Sequence, residues 1–226
     1  MTTTHEPSSW LKQNRWTLFL LVIPFLLIPF LAGQLPDRVP IHWNIHGHPD
    51  DYASKWFALL FLPLLNVGMF LLLDRLPRFD SRRKASNLRL IPSINLGIIL
   101  FMLGVWALII LSGMGYTLKM GKLVMSGVLI LFAFIGNLMT KVRPNYFIGL
   151  RTPWTLESET VWRKSHRLMG HLWFFGSLAL LPIYWVIPSP TDFFVFMGFV
   201  AVITFVPGIY SYVAYQREEE GEESAA

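Results

Sequence analysis

The chain contains no cysteine, which excludes disulfides, thiolate nucleophiles and cysteine-ligated metal sites. Charge is also scarce: 15% of the 226 residues are Asp, Glu, Lys or Arg, against 54% hydrophobic. A soluble domain carries about a quarter charged residues, so this composition points to a membrane protein. The formal net charge is only +5, and no nucleic-acid motif accompanies it. The basic residues fall between apolar blocks, which reads as membrane orientation with no direct nucleic-acid contact. Phosphate loops, nucleophile elbows and metal triads are missing as well, so no cofactor is implied.

What is present is six stretches free of Lys, Arg, Asp and Glu: 16–36, 56–73, 90–118, 123–140, 168–191 and 193–216. A helix of about 18 residues or more can cross a hydrocarbon core of about 30 Å. A charge at the bilayer centre costs about 2.5–3.5 kcal/mol, so six such gaps are a strong signal. The runs lack the alternation of barrel strands, and only helices or closed barrels can span. The expected fold is an all-α integral membrane protein with six transmembrane helices.

The distribution of Lys and Arg sets the orientation. Fifteen fall on one side, in the N-terminal segment, the second and fourth loops and the tail; four (Arg38, Lys55, Lys119, Lys122) fall on the other. The positive-inside rule places both termini in the cytoplasm. The organisation expected is a cytoplasmic N-terminus over 1–15 and two spans over 16–73 enclosing a structured external loop, 35–56. A basic cytoplasmic loop follows at 74–89, a four-span region at 90–216 and an acidic, disordered tail at 217–226.

Two connecting segments have more composition than a linker needs. The external loop holds His42, His46, His48, Asp50 and Asp51. Histidines and carboxylates at such spacing can ligate zinc. Gly47 and Pro49 break the helical turn that His42 and His46 would need, however. The segment reads first as a folded cap, extended over 39–43 and turning over 47–50, with hydrogen-bonded histidines. The cytoplasmic segment 136–170 leaves the fourth span through Asn137, Lys141 and Arg143, and turns at Pro144 and Asn145. Thr155 reads as a helix N-cap, with Glu157 and Glu159 in the first turn and Arg163, Lys164 and Arg167 later. Val161, Trp162, Ser165, Leu168 and Met169 recur at three- and four-residue intervals, which predicts a short interfacial amphipathic helix before the fifth span. Tyr146, Trp154 and Trp162 read as interfacial belt aromatics and the cations as partners of anionic lipid. A sharper reading joins Asn145, Arg151, Thr152 and Glu159, since a guanidinium at a helix entrance can clamp a carboxylate or phosphate.

These residues resemble the SdpI family of bacterial membrane proteins. The resemblance rests on Asn137, Asn145, Tyr146, Gly149, Arg151, Thr152, Pro153, Trp154, Trp162, His166 and Arg167. The external residues Pro40, His42, Asn44, Gly47, Asp50 and Lys55 resemble a domain of unknown function often fused ahead of the SdpI region. The family is named for an immunity protein against a secreted, membrane-active killing peptide. The resemblance therefore implies a non-enzymatic protein of the bacterial cytoplasmic membrane that gives toxin protection. It also implies a peptide toxin on the external face, and a small winged-helix repressor held on the cytoplasmic face. The alternative from the residues alone is a membrane enzyme or transporter handling a lipid or small anionic solute at 145–167. There Glu157 or Glu159 with His166 would supply acid–base chemistry.

Overall fold

The computed structural model describes residues 7–80 and 85–223. Its helices are α1 (Pro7–Leu31), α2 (Lys55–Arg75), α3 (Ala85–Leu88), α4 (Ile91–Gly113), α5 (Met120–Met139), α6 (Pro153–Glu157), α7 (Glu159–His171), α8 (Ser177–Val186) and α9 (Thr191–Glu223). An antiparallel pair, β1 (Arg38–Trp43) and β2 (Pro49–Ser54), stands between α1 and α2. Among the described residues six helices are long and apolar enough to cross a membrane: Trp10–Leu31, Lys55–Arg75, Ile91–Gly113, Met120–Met139, Glu159–Val186 and Thr191–Gly221. The shortest has 20 residues, about 30 Å at 1.5 Å per residue. The expected six-span, helical membrane protein is the one observed, with the hairpin as its non-helical addition.

The chain divides into two compact units, Met1–Asp74 with Ile91–Leu123, and Arg75–Leu90 with Val124–Ala226. In the first, Leu21, Phe70 and Ile99 form a buried cluster joining α1, α2 and α4. Trp10 Nε1 donates to Asp74 Oδ1 at 3.1 Å, tying the start of α1 to the end of α2. Trp106 Nε1 donates to the Leu59 carbonyl at 3.1 Å. The hairpin seats on α4, where a Cβ added to Gly113 would lie 2.8 Å from Val39 Cγ1 and 2.9 Å from Leu35 Cδ2.

In the second unit, Leu129, Tyr184 and Phe196 form the buried cluster. Trp173 Nε1 donates to the Ile203 carbonyl at 3.0 Å and Trp185 Nε1 to Ser126 Oγ at 3.0 Å. The crossing of α5 with the fifth span is made by two glycines. A Cβ on Gly136 would meet the Phe174 nitrogen at 2.7 Å, and one on Gly170 would meet the Gly136 oxygen at 2.8 Å. Small residues at such a crossing let helix backbones touch, the usual device where lipid removes the hydrophobic drive for association.

Three expectations change. The amphipathic helix ahead of the fifth span is α7, but it is not a separate element: a π-helical turn, Leu172–Gly176, carries it into α8. Thr155 is not the N-cap. Thr152 caps α6, with Pro153 occupying the first helical turn where a missing N–H costs nothing, and Ser158 caps α7. The tail over 217–223 is helical, because α9 runs on to Glu223. The N-terminal segment is likewise helical from Pro7. Arg82, Arg83 and Lys84 of the basic loop lie outside the described residues.

Candidate functional site

The residues that the sequence marks between 145 and 167 converge on one hydrogen-bonded knot. Asn145, 2% exposed, uses its whole carboxamide. Its Oδ1 accepts the backbone N–H groups of Phe147 and Ile148 at 2.8 and 2.6 Å, and its Nδ2 donates to the carbonyls of Arg143 and Ile148 at 2.8 and 3.0 Å. A side-chain amide has two donors and two acceptor lone pairs, so this one is saturated in closing the turn.

The next link is Gly149, at φ +100°, a conformation that glycine adopts without steric cost. A Cβ there would run into His166 Nε2. That nitrogen accepts the Leu150 N–H at 3.1 Å, so Nδ1 carries the proton and donates to the Trp162 carbonyl at 2.9 Å. His166 is thereby the neutral Nδ1–H tautomer with both nitrogens engaged. Its ring stacks on Trp162 at 4.0 Å between centroids and 17° between planes. Trp162 in turn donates Nε1–H to the Val142 carbonyl at 2.9 Å.

The two sides of the loop are held from elsewhere in the unit. Asn87 grips Arg143 with both amide atoms: Nδ2 donates to its carbonyl and Oδ1 accepts its N–H, each at 2.9 Å. Asp80 Oδ2 accepts the Tyr146 N–H at 2.8 Å. Arg151 Nη1 donates to the Tyr146 carbonyl at 2.6 Å. Thr155 Oγ1, 1% exposed, accepts the Thr152 N–H at 2.9 Å and faces the Leu150 carbonyl at 3.0 Å. Thr152 Oγ1 lies 3.1 Å from Ser211 Oγ on α9. Ser158 Oγ accepts the Thr160 and Val161 N–H groups at 3.1 Å and donates to Glu218 Oε2 at 2.5 Å.

Other marked residues stand apart. Asn137 is exposed on α5, and its carbonyl accepts from Thr140 Oγ1 at 3.4 Å. Pro153 starts α6, while Trp154 packs its ring 5.0 Å from that of Tyr212. Glu159 and Arg167 are exposed on α7. With Lys141, Arg143, Tyr146, Phe147, Arg151, Arg163 and Lys164 also exposed, the outer face is rich in basic and aromatic side chains around a closed, hydrogen-bonded interior. Sequence reasoning missed Asn87, Asp80 and Ser211. They act from distant elements and carry no local motif.

In the hairpin, Asn44 closes the tip. Its Oδ1 accepts the N–H groups of His46 and His48 at 3.0 and 3.1 Å, and Gly47 takes φ +81°. His42 Nδ1 meets Asp50 Oδ1 at 2.6 Å on an open surface. Lys55 Nζ lies 3.1 Å from Asp37, and Pro40 pairs with Tyr52 in the register. His42, His46 and His48 do not come together as ligands: among the described residues no group of three His, Asp or Glu side chains could hold a metal ion.

The sequence that builds this turn lies in a region similar to known proteins. Residues 141–211 match the SdpI/YfhL protein family, and residues 19–67 match the domain of unknown function DUF1648. The immunity protein SdpI of Bacillus subtilis (strain 168) is 31% identical over 157 residues, 70% of this chain and 74% of that protein. The chain belongs to the SdpI family. No solved structure matches it. The family match begins at Lys141 and ends at Ser211, and so takes in the 145–167 turn with the Val142 carbonyl and the Ser211 hydroxyl, while Asp80, Asn87 and Glu218 brace it from outside that range. As a family member with six apolar helices, the chain is a multi-pass protein of the cell membrane.

Proposed function

We propose that this protein is a non-enzymatic immunity protein, protecting the cell that carries it against a secreted, membrane-active peptide. The observation that carries the reading is the 31% identity to an immunity protein across 74% of that relative's length. The geometry is in keeping with a binding role, since His166, Asn145 and Thr152 use their polar atoms to build the loop. The basic and aromatic outer face of 145–167 is then the place where a small winged-helix repressor is held at the membrane. Survival of toxin-sensitive cells tests the first part. Cells expressing the chain should outlive vector controls when challenged with membrane-active peptides, and equal killing despite verified membrane expression, across a panel of such peptides, overturns it.

The positive-inside rule supports an orientation with the hairpin outside and both termini in the cytoplasm. The chain has no cysteine, so single cysteines report cleanly. His48→Cys, at the exposed hairpin tip, should react with an impermeant maleimide on intact cells, and Lys164→Cys, on exposed α7, only after lysis. Labelling of Lys164→Cys in intact cells reverses the topology.

A further inference from the structure

The first unit holds polar groups that its own packing leaves unanswered. Asn14 on α1, Asn66 on α2 and Asn95 on α4 are each 1% exposed. Both amide atoms of Asn66, both of Asn95, and Oδ1 of Asn14 have no hydrogen-bond partner among the described residues. An unsatisfied buried polar group costs about 1–3 kcal/mol, and hydrocarbon offers it nothing. Five such atoms in one three-helix unit therefore point to a ligand.

The faces agree. Asn66 stands one turn from Phe70 and Asn95 one turn from Ile99, while Asn14 stands one and two turns from Leu18 and Leu21. Leu21, Phe70 and Ile99 are the shared buried cluster, and Leu18 packs against it. All three carboxamides thus lie on the inward faces of helices that meet.

Charge narrows the ligand. Segments 16–31, 56–73 and 91–113 contain no Lys, Arg, Asp or Glu, and the five open atoms are all neutral amide groups, so they suit a neutral ligand better than an ion. Three acceptors and two donors suit a neutral molecule that both donates and accepts. A buried water takes two to four such bonds. We infer that Asn14, Asn66 and Asn95 line an internal water site in the α1–α2–α4 bundle. The hydrogen bonds of Asn14 run on toward Asp74: its Nδ2 donates to the Trp10 carbonyl at 3.0 Å, and Trp10 Nε1 donates to Asp74 Oδ1. The site is independent of the immunity reading and would stand if that reading failed.

Hydroxyl-radical footprinting of the full chain in lipid nanodiscs, with rapid exchange into ¹⁸O-labelled water, reads resident water directly. Phe70 is 3% exposed, so a radical reaches it from a water held beside Asn66. The expected result is oxidation of Phe70 with slowly exchanging label, and its loss in an Asn66→Leu/Asn95→Leu protein. The single variants should melt lower than the parent and the double should recover part of that loss, because one leucine leaves the other carboxamide facing a broken network. Should the double variant fold poorly, Asn66→Ser, which keeps a hydroxyl, should retain the Phe70 label. An unlabelled Phe70 in the parent, or single leucine variants that melt higher than it, shows a dry interior and overturns the inference.

Discussion

Gly149→Ala is expected to destabilise the protein by about 2–5 kcal/mol and to abolish protection in the survival assay. Two costs combine. At φ +100° a Cβ meets the backbone strain of the left-handed region, about 1–2 kcal/mol. The methyl also collides with His166 Nε2, the acceptor of the Leu150 N–H, and losing that buried bond adds about 1–3 kcal/mol. Gly47 separates the two. It has a similar φ of +81°, but a Cβ there meets nothing within 4 Å, so Gly47→Ala should show the backbone cost alone. A second check is His166→Ala, which removes both the obstacle and the acceptor, so the double variant with Gly149→Ala should cost less than the two single variants summed. Melting midpoints in mild detergent decide it. Equal midpoints for Gly47→Ala and Gly149→Ala would show that the His166 contact contributes nothing.

The spans were legible because a hydrocarbon layer imposes a rule that one residue type can break: no charge for about 18 residues. Their ends were not, because helices continue past charges where water or headgroups accept them. α1 starts at Pro7, before Lys12 and Arg15, and α9 continues through Glu218, Glu219 and Glu220. The same limit hid the continuity of α7 with α8, since the polar face of α7 reads as an interfacial helix wherever the chain goes next.

The site was legible in membership more than in role. The run of Asn145, Tyr146, Gly149, Arg151, Thr152, Pro153, Trp154 and Glu159 stood out as more specific than lipid binding requires, whereas Trp162 read as a belt aromatic and His166 was marked by the family resemblance and as a possible acid–base partner. The clamp suggested by Asn145, Arg151, Thr152 and Glu159 turned on side chains reaching outward. Instead Asn145 folds back on four backbone groups within three residues, and Thr152 turns to Thr155 and Ser211. What fixes these directions comes from afar. Asn87 lies 56 residues from Arg143, and Ser211 lies 59 from Thr152. Pairing at that separation leaves no periodicity along the chain. Thr155, read as a cap in its own right, is the other half of a capping box whose first member precedes Pro153.

Asn145→Ala should cost about 2–4 kcal/mol, since it leaves two loop N–H groups and two carbonyls to compete for whatever water can enter. Asn145→Asp tests the donors apart from the acceptors. The carboxylate still accepts from Phe147 and Ile148, but its second oxygen faces the Arg143 and Ile148 carbonyls at the positions where Nδ2 stood 2.8 and 3.0 Å away. A buried anion against two carbonyl oxygens is repelled on both sides, so the aspartate should be at least as damaging as alanine at neutral pH. Protonating it restores one donor, and the Asp variant alone should regain stability as the pH is lowered. Asn87→Ala supplies the coupling. Asn87 and Asn145 donate to the same Arg143 carbonyl, so either can hold that oxygen when the other is gone. The double variant should then lose more than the sum of the singles, by roughly 0.5–3 kcal/mol. Strict additivity in chemical denaturation would mean that the two asparagines hold the loop independently, and that the shared carbonyl is not the point through which the 75–90 connection braces the 145–167 segment.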